Sequence, residues 1–110
     1  MQLSFSNRFH RGGLLVVAVA VLALSCGRGF VPPPVSSHAA AASGVAPSRL
    51  AAGYALHQAK CANCHAFQDP STHTPSQLAN DILPRMAKKA ELTPADEQAV
   101  LAYLLAVRKE

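Results

Sequence analysis

Apolar and polar positions follow three regimes along this chain. Leu14 to Cys26 is an unbroken run of apolar or small residues. Residues 27–47 show no periodicity. From Ser48 onward the apolar positions recur at helical spacing, and three helices are expected. The first spans Ser48 to Lys60, with Leu50, Tyr54 and His57 on one stripe. The second starts at Thr74-Pro75, an N-cap followed by a first-turn proline. Leu78, Ile82 and Met86 follow at four-residue spacing and should share a face. Pro84 should kink or divide that helix, because it lacks an N–H and crowds the preceding turn. The third starts at Thr93-Pro94-Ala95-Asp96, with Val100, Leu101, Leu104, Leu105 and Val107 as its stripe. No strand pattern or internal repeat is present, so the expected class is all-α.

The apolar run near the start is too short to cross a bilayer, which takes about 20 residues. Arg8 and Arg11 precede it without any acid, the arrangement of a secretory signal peptide. The run ends in Ala23-Leu24-Ser25-Cys26-Gly27, which resembles a lipoprotein signal except that leucine is usual where Ala23 stands. Residues 1–26 are therefore read as a signal peptide cleaved before Cys26, with Cys26 lipidated. Ordinary cleavage nearby and a short uncleaved anchor are the alternatives. All three export the remainder, and the expected location is the periplasmic side of a membrane. Residues 27–47, rich in Pro, Ala and Ser, read as a flexible tether with a reach of about 25 Å. His38 within it is expected to be solvated. The folded domain is assigned to residues 48–110.

The net charge of +4 changes little. From Gly27 onward there are eight Lys or Arg against six Asp or Glu, a net +2. That balance gives no reason to expect a nucleic-acid partner. Arg85, Lys88 and Lys89 form a local basic cluster, read as a solvated helix face.

The cysteines add the chemistry. The chain has three, an odd number for an exported protein. Cys61-Ala62-Asn63-Cys64-His65 is the spacing of c-type haem attachment. Two thiols reach two vinyl groups of one porphyrin, and the histidine that follows falls beneath the iron. Lipid on Cys26 would account for the third thiol. A zinc ribbon would need a second cysteine pair, and none follows Cys64. A thiol-redox pair would be expected in a βαβ setting. A domain of this size is marginal on its own core, and its aromatics are only Tyr54, Phe67 and Tyr103. A haem would fill its centre, and two propionates would bring the charge close to neutral. Met86 is the domain's sole methionine and the candidate sixth ligand, a soft donor that favours reduced iron. His73 is the alternative, and an open sixth position is the next. His57 is expected to pack or face solvent.

Residues 50–110 resemble a small single-haem class I cytochrome c of bacteria. The resemblance is carried by Gly53-Tyr54 ahead of the attachment motif, by Arg85-Met86, by Leu92-Thr93, and by Tyr103-Leu104 in the final helix. It implies a domain of three main helices around one covalent haem, with Gly53 letting the last helix approach closely around Tyr103 and Leu104. Three departures stand out: a short connection from His65 to Met86, a methionine on or beside a helix, and no tryptophan before it. The expected function is electron transfer, not enzymatic catalysis, with redox proteins docking at the exposed haem edge. A haem-based binder of diatomic gases and a cytochrome subunit of a larger oxidoreductase are the alternatives.

Overall fold

The computed structural model describes residues 29–108, and every regular element among them is helical. In chain order these are α1 (Ser37–Ser43), α2 (Pro47–Lys60), α3 (Pro75–Gln77), α4 (Leu83–Lys89) and α5 (Pro94–Val107). Short 3₁₀ turns lie at Cys61–Asn63 and Pro70–Thr72, and a widened π turn at Leu78–Ile82 joins α3 to α4. The expected all-α class stands. The assigned signal peptide and Cys26 lie outside the described residues.

Local chemistry sets the helix starts. Thr93 Oγ1 accepts the Asp96 N–H at 3.2 Å, with Pro94 in the first turn and Asp96 and Glu97 at the positive helix end. Thr74 and Gln77 form a reciprocal box. The threonine hydroxyl accepts the Gln77 N–H at 3.1 Å, and the Gln77 side chain accepts the Thr74 N–H at 2.9 Å. Pro84 has the expected effect through a specific device. The turn before it opens, so that the Leu83 N–H donates to Leu78 O, five residues back. A regular turn would press the proline ring onto the carbonyl four residues earlier.

That extra residue moves the buried face. The buried line runs Leu78, Leu83, Ala87, whereas Ile82 and Met86 are half-buried one step around the helix. The expected shared face of Leu78, Ile82 and Met86 is thereby split. In α5, Val100, Tyr103 and Leu104 are buried, and Leu105 is 39% exposed because it lies roughly 200° around from Tyr103.

Helices α2 and α5 cross at Gly53. A Cβ at this position would overlap the Ala99 carbonyl and come within 2.8 Å of Tyr103 Cβ. Close approach at Gly53 is therefore present, with Ala99 and Tyr103 as the facing residues. Tyr54 and Tyr103 pack edge to face beside the crossing, their centroids 5.4 Å apart. Leu83, Val100, Tyr103 and Leu104 form the core cluster, and Leu50 is fully buried.

The tether reading needs correction from residue 32 onward. Pro32 and Ala40 are buried, and Val35 packs against the core cluster. The Tyr103 hydroxyl donates to Pro33 O at 2.7 Å, and burial pushes its ionisation up to about 12, so it remains a donor. Ser36 Oγ caps α1 by accepting the Ala39 N–H at 3.0 Å, and Gly44 ends it in the left-handed region at φ 68°. Alanine-rich sequence is low in complexity and also the best helix former. Its small side chains let α1 lie close on α5.

Gly53→Ala should lower the unfolding free energy by about 3 kcal/mol, the upper range for overpacking, because backbone stands in the way. Denaturant unfolding measures this. Tyr103→Phe keeps the ring and removes the bond to Pro33, a loss of about 1 kcal/mol. Amide hydrogen exchange should quicken in residues 37–44 and stay unchanged in α2.

Candidate functional site

Helix α2 delivers the motif. The Cys61 N–H donates to His57 O at the end of the helix, and the chain then tightens into the 3₁₀ turn. Asn63 Nδ2 donates to Ala59 O at 3.3 Å and ties that turn to the helix. Cys61 is half-buried and Cys64 exposed. The His65 ring nitrogen Nδ1 lies 2.8 Å from Ala66 O. A carbonyl only accepts, so Nδ1 carries the hydrogen, which in the neutral ring leaves the lone pair on Nε2.

The chain then runs through residues 66–69 into the turn at Pro70–Thr72. Asp69 caps this turn, accepting from the Ser71 N–H at 2.9 Å and the Ser71 hydroxyl at 2.6 Å. His73 follows, and its carbonyl accepts from Arg108 Nε at 2.9 Å. This bond ties the loop to the end of α5.

These pieces enclose an open cleft of about 840 Å³ counted out to its mouth. Cys61, Cys64 and His65 line one side. Ile82, Leu83 and Met86 line another, and Val100 and Leu104 supply the wall from α5. Phe67, Pro70 and Leu78 add apolar surface, and Lys60 and Lys89 also border the cleft. The candidate residues Cys61, Cys64, His65 and Met86 thus share one cleft, although Met86 lies 21 residues beyond His65. His73 joins them. The basic cluster resolves into an exposed Arg85–Asp81 ion pair at 3.1 Å and two exposed lysines, Lys88 and Lys89.

The environment of Cys61 does not favour the thiolate. Burial, and then the neighbouring Cys64, push the Cys61 thiol up, away from the thiolate. The pair follows the negative end of a helix, whereas reactive thiols are activated at positive ends. Among the described residues, no group of three or more His, Cys, Asp or Glu could hold a bare metal ion. Addition to an unsaturated carbon needs only the two thiols, and axial ligation needs one donor from each side of a planar ring.

His57 is the residue whose place the sequence left open. It is 6% exposed and lines the cleft. Its ring lies 4.7 Å from that of Phe67 and 5.6 Å from that of Tyr103, centroid to centroid. Its Nδ1 is buried without a hydrogen-bond partner. The stripe Leu50, Tyr54, His57 was a signal for its burial. Leu83 as a wall residue was not legible, because the π turn carries it inward. Compared with family models, curated proteins and solved structures, the chain matches none.

Burial lowers the His57 pKa below 6.5. Between the folded and unfolded values the unfolded chain binds more protons, so stability rises with pH there. Its contribution is complete above pH 6.5 and is lost as pH falls through the folded-state value. His57→Phe keeps the packing and should flatten the decline in unfolding midpoint below that pH, relative to the unaltered chain.

Proposed function

We propose that this chain is an exported electron-transfer protein carrying one haem c. Cys61 and Cys64 attach it, His65 is the proximal iron ligand and Met86 the distal one. The observation that carries this reading is the single cleft shared by two thiols, an imidazole with a free Nε2 and a thioether, all among apolar walls. The donor set fits the group: thiols for vinyl carbons, one nitrogen and one soft sulfur for iron.

When bound, the haem supplies a one-electron iron couple. The chain's own residues do the rest. Cys61 and Cys64 hold the ring at the end of α2. Ala66 O orients His65 and raises its basicity by accepting from Nδ1. Met86 stabilises the reduced state through its neutral sulfur. Leu83, Val100 and Leu104 would pack against the bound ring and keep water from it, which lowers the reorganisation on electron transfer. With His65 and Met86 both held by the iron, no site would be left on it for a substrate, and the chain would act as a carrier and not an enzyme. A redox protein would dock at the edge marked by exposed Cys64, through a small transient interface. Lipid on Cys26 would keep the domain at the periplasmic face of a membrane.

One observation favours a second ligand: His73 lines the same cleft. Optical spectra of the oxidised and reduced protein, with and without CO, decide between them. The expected result is a haem c spectrum with a sulfur-to-iron band when oxidised and no CO adduct at neutral pH. Met86→Leu should abolish the band, admit CO and lower the potential. A native protein that takes CO readily and lacks the band would replace this reading with a gas binder. A protein free of haem after expression with the haem-attachment machinery would overturn it entirely. Co-purification with a catalytic subunit would make it part of a larger oxidoreductase.

A further inference from the structure

Phe30 to Val35 is an uninterrupted apolar run, Phe-Val-Pro-Pro-Pro-Val. The structure divides it into two parts. Pro32 is buried and Val35 packs on the core, whereas Val31 is 80% exposed and Pro33 and Pro34 also face solvent. The exposed part is held firmly. Three prolines restrict the backbone, Pro33 O accepts the Tyr103 hydroxyl, and α1 behind it is capped at both ends. None of the cleft-lining residues belongs to residues 29–47. The surface therefore lies apart from the cleft and leaves it free.

Two features of the sequence bear on what meets this surface. Cys26 lies five residues before Val31, a span of at most about 18 Å. No carboxylate precedes Asp69, whereas Arg28 lies two residues before the run. Such a segment is not repelled by anionic headgroups, and basic residues near a membrane are attracted to them. We infer that Val31, Pro33 and Pro34 form a bilayer-contact surface, and that the segment docked on α5 holds the cleft in a constant orientation to the membrane. The inference rests on lipidation of Cys26 and deepens that part of the proposed function. The anchor supplies the attachment; the docked segment removes the swing that a free tether would permit.

The chain contains no tryptophan, so Val31→Trp introduces a single emitter. Ala95→Trp, at an exposed position in the first turn of α5, serves as the control. Each full-length lipidated protein is reconstituted into vesicles of phosphatidylcholine and phosphatidylglycerol, with ordinary or brominated acyl chains. Taking the ratio of emission in the two vesicles cancels any quenching by the haem. The V31W protein should lose most of its emission to brominated lipid, and A95W should lose almost none. A chain with no lipid on Cys26 by mass spectrometry would overturn the anchor and the inference together. A lipidated, vesicle-bound chain whose V31W emission is untouched by bromine would overturn the inference alone. Equal quenching of both variants would also overturn it, because the orientation would then be free.

Discussion

At Gly53 two helices meet with no room for a side chain. This steric condition organises the domain. The carbonyl of Ala99 and the Cβ of Tyr103 occupy the space a larger residue would need, so α2 and α5 lie backbone to backbone. The crossing sets where each helix ends. From α2 the chain leaves directly into the Cys61–His65 motif. From α5, Val100 and Leu104 face the cleft, and Tyr103 reaches away to the N-terminal segment. A shift of a few ångströms at this contact would move the thiols and the apolar wall relative to each other.

The opposite side of the cleft depends on a proline. Pro84 cannot donate a backbone hydrogen bond, and its ring needs space from the turn before it. The chain answers with an i to i+5 bond at Leu78. One residue is thereby inserted into the helical period, and the buried line passes from Leu78 to Leu83 and Ala87. Met86 is left half-buried, off the buried line, and lines the cleft. A regular helix would have kept it on the Leu78–Ile82 stripe as a packing residue. In the proposed function, the position of the sulfur donor follows from this local irregularity.

Tyr103 joins the two sides of the molecule. Its ring packs against Tyr54 and His57, and His57 in turn packs against Phe67 in the cleft wall. Its hydroxyl holds Pro33. The N-terminal segment thus belongs to the folded unit through one long-range hydrogen bond, a buried proline and a buried alanine. Composition suits it to this role: alanines form helix without bulk, and prolines lose little entropy on docking.

Local chemistry in the sequence was enough for the helix starts at Thr74 and Thr93, because a cap and a first-turn proline act over four residues. It was also enough for the all-α class, since the apolar period is a property of each segment alone. The Cys61–His65 motif is equally local, five successive residues that follow the end of α2. Residues distant in the chain were decided by tertiary structure. The split between Leu83 and Met86 arose from the widened turn before Pro84, which spacing alone does not count. The docking of residues 32–43 required a surface on α5 that the segment's own composition cannot report. The convergence of Met86 and His73 on the motif's cleft depends on the packing of α4 and of the 70–73 turn against α5. Short-range hydrogen bonds and periodicity are written residue by residue, whereas packing is a relation between surfaces that meet only when the chain has folded.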